Sequence, residues 1–177
     1  MRRMTLWYAA RSHPMLTAGA AVTAAIAIFS MLFADRQIVI NTSPSVRPGL
    51  YLRSSGQPRV GTIIDFHIPS AAWGYVRART GNGGESWYIL KPIVAGPGDQ
   101  VDTTGKWLVI NGRQIAPMPP QNDREGNQLP IWRDRRRLRS DEFFVFSSRI
   151  PNSFDSRCYG PIDRSQIESV RTPLLTW

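Results

Sequence analysis

Residues 15 to 34, MLTAGAAVTAAIAIFSMLFA, form one run without Asp, Glu, Lys or Arg. Such a run predicts a single helix, about 30 Å long at ~1.5 Å per residue, close to the thickness of one hydrocarbon core. Beyond Asp35 the pattern changes. Apolar residues now come in short runs rich in β-branched and aromatic side chains, at 37–40, 50–53, 62–68, 86–95, 107–110 and 142–147, and such runs predict strands. Gly and Pro separate them at Pro48-Gly49, Pro97-Gly98, Asn111-Gly112 and Gly160-Pro161. Asn111-Gly112 stands between WLVI and RQI and predicts a hairpin. One short helix is expected near residues 71–78. Residues 117–139 are polar and Pro-rich, then basic, and read as a long surface loop. The expected fold is mainly β, an antiparallel β-domain behind one N-terminal transmembrane helix. Its expected divisions are a tail (1–14), a spanning segment (15–34) and a catalytic-sized domain (35–177).

Charge orients the first segment. Arg2, Arg3 and Arg11 precede it and Asp35 closes it, with Trp7 and Tyr8 placed for the interface. The positive-inside rule puts the N-terminus in the cytoplasm and the domain outside, which in a bacterium is the periplasm. A cleaved signal peptide is the first alternative. The run exceeds the usual ~7–15 residues, and Leu32-Phe33-Ala34 lacks a small residue where cleavage wants one. A buried soluble helix is the second alternative.

Composition narrows the chemistry. The 177 residues suffice for one domain and an appendage. A single Cys excludes an intrachain disulfide framework and a Cys-based zinc cluster. The two His, His13 and His67, offer little for a metal. No phosphate-binding Gly loop and no Gly-x-Ser-x-Gly elbow is present, so no cofactor and no metal are expected. The net charge is +9, yet only Lys91 and Lys106 of the 22 basic residues are Lys. Arg keeps its proton at any working pH, whereas Lys can lose it. The basic run from Arg133 to Arg139 reads first as a solvated loop and second as a contact for anionic lipid. Nucleic acid comes last, since no aromatic residues interleave the run.

Two places have catalytic residue types. Asp65 and His67 share one face of a predicted strand. They read either as an acid–base pair or, more simply, as the wet face of a half-buried strand. Lys91 lies among Leu90, Ile93 and Val94. Desolvation there would lower its pKa and yield a neutral amine able to take a proton from a Ser hydroxyl. The alternative is a Lys snorkelling at a strand edge, which composition alone favours.

Four segments, in order, resemble the boxes of type I signal peptidases, the peptidase S26 family. Ser43-Pro44-Ser45-Val46-Arg47-Pro48 resembles the family's Ser-x-Ser-Met-x-Pro. Gly61-Thr62-Ile63-Ile64-Asp65-Phe66 resembles its second box. Lys91-Pro92-Ile93-Val94-Ala95-Gly96-Pro97-Gly98-Asp99 matches Lys-Arg-x-Val-Gly-x-Pro-Gly-Asp without a gap. Asn152-Ser153-Phe154-Asp155-Ser156-Arg157-Cys158-Tyr159-Gly160 resembles Asn-Ser-x-Asp-Ser-Arg-x-Trp-Gly. The small size and the Asn41-Thr42-Ser43 lead are most similar to the conjugative-transfer branch, the TraF type.

The resemblance implies a Ser/Lys dyad in a signal-peptidase-like β-fold. Ser45 would be the nucleophile and Lys91 the general base. The Ser45 N–H and the Ser43 hydroxyl would form the oxyanion hole. Ser153 would orient the Lys91 amine, and Asp155 and Arg157 would brace the site as an ion pair. The implied protein is a single-pass serine endopeptidase of the bacterial inner membrane. Its implied substrate is a membrane-inserted precursor, the propilin of a conjugative plasmid, and its implied product is a trimmed or a ring-closed pilin. Phe146-Ser147-Ser148-Arg149 departs from the family's Leu-Gly-Asp-Asn, Val46 replaces Met, and Pro92 replaces Arg. Pro92 removes a strand N–H and should sit at an edge or a bulge. The departures motivate a second reading, a non-catalytic assembly factor of the transfer channel on a degenerate peptidase fold. A third, a soluble Ser/Lys autoprotease, conflicts with the uncharged run at 15–34.

Overall fold

The computed structural model describes residues 14–34, 36–81, 88–123 and 125–177. The chain divides into two units, Met1–Val39 and Ile40–Trp177. In the first, the uncharged run forms helix α1, Pro14–Ala34. Its side chains from 15 to 31 are exposed. Among the described residues no helix is long and apolar enough to cross a membrane. The tail residues Arg2, Arg3, Trp7, Tyr8 and Arg11, and Asp35, lie outside the described residues.

Beyond α1 the chain is mainly strand. β1 (Ile38–Asn41), β2 (Gly49–Ser54) and β3 (Ile63–His67) lead to a 3-10 turn (Ser70–Ala72) and helix α2 (Trp73–Thr80). Then come β4 (Tyr88–Ala95), β5 (Gln100–Asp102), β6 (Trp107–Ile110), β7 (Arg113–Pro117), β8 (Arg135–Arg137) and β9 (Glu142–Val145). Helix α3 (Ser156–Tyr159), β10 (Ile162–Asp163), a 3-10 turn (Arg164–Gln166) and β11 (Ile167–Thr176) complete it. Seven strands form one sheet in the order β1-β2-β11-β3-β4-β9-β10, and four form another, β7-β6-β5-β8. Strands β2 to β11 pair antiparallel.

The sequence runs map onto these strands with ends shifted by one or two residues, and residues 86 and 87 are outside the described set. The hairpin at Asn111-Gly112 joins β6 to β7. Both turn residues have positive φ, 50° and 79°, as a two-residue turn of this twist demands. Strand β9 explains how two cores share one wall. Its side chains alternate, so Phe143 and Val145 enter the core of the large sheet with Ile64, Phe66 and Ile162. Phe144 and the following Phe146 enter the core of the small sheet with Val101, Leu108 and Leu138.

Three expectations are corrected. Strand β3 has no wet face: Asp65 is fully buried, bound to Arg171 at 2.6 Å and to the Ser169 hydroxyl at 2.6 Å. The partners come from β11, which the sequence runs did not predict. Glu168, Ser169, Arg171 and Pro173 break its apolar pattern, yet it lies in the middle of the large sheet between β2 and β3. Finally, the basic run is not a loop throughout and not all of it is solvated, although Arg135, Arg137 and Arg139 are exposed as expected. Arg135–Arg137 is strand β8, paired with β5. Arg133 donates to the carbonyls of Thr103, Thr104 and Gly105. Arg136 grips the buried Glu142 at 2.5 and 2.9 Å, and Leu138 is buried.

Candidate active site

The segment after β1 is built around one side chain. Asn41 is buried, and its Nδ2 donates to the carbonyls of Ser43 (3.0 Å), Val46 (3.1 Å) and Arg47 (3.1 Å). Its Oδ1 accepts from the Ser43 N–H at 3.2 Å. An amide carries two hydrogens, so one of them is shared between two carbonyls. The backbone from 41 to 47 therefore curls around Asn41, and this curl brings the two serines together. Ser43 Oγ and Ser45 Oγ are 3.0 Å apart, and the Ser45 N–H is directed at Ser43 Oγ at 3.5 Å. Ser45 is 2% exposed.

Lys91 sits on β4, opposite Ile64 of β3. It is 3% exposed, and its Nζ donates to the Ser153 Oγ at 3.0 Å. Burial removes the ammonium from water and pulls the Lys91 pKa from 10.5 down to about 8. Asp155 opposes this fall and Arg157 adds to it. Burial prevails because the Asp155 charge is already engaged. Asp155 Oδ1 meets Arg157 Nε at 2.9 Å and Oδ2 meets Nη2 at 2.9 Å, so the two opposite charges largely cancel at Lys91.

Asp155 also caps helix α3, accepting from the Arg157 N–H at 3.2 Å. Arg157 is 1% exposed and every arm of its guanidinium is used. Nη1 donates to the Pro117 carbonyl at 2.7 Å, Nη2 reaches the Ser153 carbonyl at 3.3 Å, and the plane lies 4.6 Å from the Phe146 ring centre. Ser156, also buried, accepts from the Val145 N–H at 3.0 Å and ties α3 to β9. The backbone carrying Ser153 is thus held from both sides, and the Lys91 amine inherits that rigidity.

Among the residues expected at the site, Ser43 and Ser45 stand together, and Lys91, Ser153, Asp155 and Arg157 form a second connected group. No hydrogen bond joins Ser45 Oγ to Lys91 Nζ: the hydroxyl meets Ser43 Oγ and the amine meets Ser153 Oγ. Ser45 lines a cleft of about 640 Å³ with Val46, Pro92 and Phe146. Ser43 and Ser153 line a second of about 950 Å³. Pro92 lies beside a register shift between Ile93 and Ala95, and its carbonyl accepts from the Phe146 N–H at 3.2 Å.

Rival chemistries are poorly placed. Both oxygens of Asp65 are taken by Ser169 and Arg171, and the His67 ring packs at a tilt against Tyr88, 4.1 Å between ring centres. The buried Cys158 thiol is pushed up to about 12, chiefly by desolvation, and is a poor nucleophile at neutral pH. Among the described residues no cluster of His, Cys, Asp and Glu is arranged to hold a metal. Asn41 was read only as part of the family resemblance; its role in shaping the turn two residues ahead of Ser43 was missed, because Asn is not a catalytic residue type. Ser147 was read only as a departure, yet its hydroxyl donates a short hydrogen bond to the Ser45 carbonyl.

A paired-serine turn, a buried Lys of lowered pKa and a mainly antiparallel β-domain together have the layout of a Ser/Lys peptidase fold. The family model for signal peptidase, peptidase S26, matches residues 11–175, and the chain belongs to that family, in its TraF branch. Two relatives, both described as plasmid transfer protein TraF of Escherichia coli, are 32% identical over 148 residues and 31% over 147. Each alignment covers 78% of this chain and 82% of the relative. A solved signal peptidase I from Enterococcus faecalis V583 is 21% identical, with a TM-score of 0.38 over 67% of this chain and all of that one.

Proposed function

We propose that the protein is a membrane-anchored serine endopeptidase of the signal-peptidase type, acting in conjugative plasmid transfer. The observation that carries this reading is the buried Lys91 amine, whose pKa of about 8 makes it a base at physiological pH. Ser45 attacks the scissile carbonyl while Lys91 takes its proton. The Ser45 N–H and the Ser43 hydroxyl, which lie against each other in this turn, are the donors available to receive the oxyanion. The leaving amine takes the proton back from Lys91. An acyl-enzyme on Ser45 Oγ remains, and water, or the precursor's own amine, releases it. For the first step Ser45 Oγ must exchange its contact with Ser43 Oγ for one with Lys91.

The anchor is part of the proposal. The helical backbone of α1 runs to Ala34 and carries no charged residue, which supports a bilayer as the partner covering Leu16, Ile26 and Phe29. The substrate is then a membrane-inserted precursor, the propilin, met in two dimensions on the periplasmic side of the inner membrane. Pairing of the two relatives' plasmid-transfer role with this site supports that substrate. Co-expression of the full chain with the precursor, wild type against Ser45→Ala, followed by product mass, tests it. Loss of processing in the variant is expected. A product lighter by one water than the trimmed chain marks ring closure. Normal maturation with Ser45→Ala would instead support the channel-assembly reading, which the absence of a direct Ser45–Lys91 bond favours.

A further inference from the structure

The nucleophile and the base stand on separate elements with no hydrogen bond between them, so something else must set their separation. The segment 146–149, just after β9, touches both. At one end the Phe146 N–H donates to the Pro92 carbonyl at 3.2 Å, one residue from Lys91. At the other end the Ser147 hydroxyl donates to the Ser45 carbonyl. The hydroxyl has little freedom to do otherwise. Its oxygen accepts from the Arg149 N–H at 3.2 Å, which leaves its own hydrogen for the carbonyl. Arg149 adds a second clasp, with Nε donating to the Pro44 carbonyl at 3.2 Å. Ser147 is 1% exposed, so water does not compete for the bond.

From this geometry we infer that Ser147 is a positioning residue for the nucleophile, an inference that rests on the Ser45/Lys91 reading. The bond pins the peptide plane that follows Ser45, and through it the Ser45 N–H and side chain. Asn41 shapes the same turn from inside, but its bonds all lie within the turn. Among the described residues, the 146–149 clasp is what ties that turn by hydrogen bonds to the strand carrying Lys91. A Gly or Ala at 147 has no hydroxyl to make the tie, so a side chain that departs from the family's box here has a specific task. Misplacing reacting groups by about 1 Å costs on the order of 100-fold in rate.

The test uses the purified full chain in detergent and a serine-acylating β-lactam-type probe, with the labelling rate read over a range of pH. Wild type is expected to label at Ser45, and Ser45→Ala is expected not to label. Ser147→Ala should label roughly 10- to 100-fold more slowly, with a melting temperature within a few degrees of wild type. Ser147→Thr, which keeps the hydroxyl, should recover most of the rate. The midpoint of the pH profile should stay near the wild-type value in both variants, because the groups around Lys91 are untouched. A wild-type rate in Ser147→Ala overturns the inference. So does a lowered plateau accompanied by a shifted midpoint, since the hydroxyl would then act through the amine. A wild type that fails to label, or Ser45→Ala labelling equally well, overturns the underlying dyad reading instead.

Discussion

Replacing Lys91 by Met should make the folded domain more stable near pH 7 while ending its chemistry. The burial that lowers the Lys91 pKa from 10.5 to about 8 is a cost borne by the charged amine. It corresponds to roughly 3 kcal/mol. The folded state binds this proton less well than the unfolded state between about pH 8 and 10.5, so stability rises with pH across that window. Below about pH 8 the full cost is present. Met removes it, and loses the Nζ bond to Ser153, worth about 1 kcal/mol. The net gain near pH 7 is then about 2 kcal/mol, and it should shrink toward pH 10, where wild type has recovered most of the difference. Denaturant unfolding of both proteins in detergent at the two pH values measures this, and the difference of the differences removes the other titrating groups. The rate supplies a second readout on the same amine. Below about pH 8 the neutral fraction, and with it turnover, should fall about tenfold per pH unit. Lys91→Arg, permanently charged, should lose at least a thousandfold. If Lys91→Met proves less stable than wild type near pH 7 with an unchanged pH trend, the amine is not desolvated and the argument for a neutral base collapses.

Asp155→Asn should move the acidic limb of the rate profile to lower pH, because an unneutralised Arg157 then opposes protonation of Lys91; an upward move would contradict the charge balance described above. Asp65→Ala takes the carboxylate away from the buried Arg171 and should cost about 3–5 kcal/mol in unfolding experiments, without changing the turnover of the protein that remains folded. Asn41→Ala removes the bonds that curl the turn around Ser43 and Ser45. It should therefore lower turnover well beyond any change in substrate affinity, and a pure affinity effect would count against its role. Gly49→Ala should be severely destabilising, because a Cβ there would stand 2.2 Å from the Leu175 carbonyl oxygen; thermal unfolding reads it directly.

Local patterns carry far in this chain, and they fail at identifiable places. The Asn111-Gly112 hairpin and β6 were legible because turn chemistry and alternation act over a few neighbouring residues. The site boxes were legible because Ser43, Ser45 and Lys91 stand in ordered segments that resemble those of a known family, and Lys91 is one of only two lysines. Strand β11 was not, because Arg171 and Ser169 look like surface residues until Asp65, more than a hundred positions earlier, is placed against them. The basic run misled for the same reason. Arg133 and Arg136 read as solvated charge, and only folding supplies the turn carbonyls at 103–105 and the Glu142 carboxylate that hold them.

What the sequence determined by itself was therefore everything set by neighbours along the chain: the uncharged helix, the short strands, their turns, and the kind of chemistry that a Ser pair and a lone apolar-flanked Lys can perform. What the tertiary structure decided was everything set by neighbours in space. Whether Lys91 snorkels or is buried depends on Ser153, Asp155 and Arg157, which arrive from 60 or more residues away. Desolvation is a property of the whole enclosure, so no spacing in the sequence could measure it. The same holds for the Ser147 hydroxyl at the Ser45 carbonyl. It is an ordinary residue in the sequence, and it becomes part of the site only because β9 delivers it there.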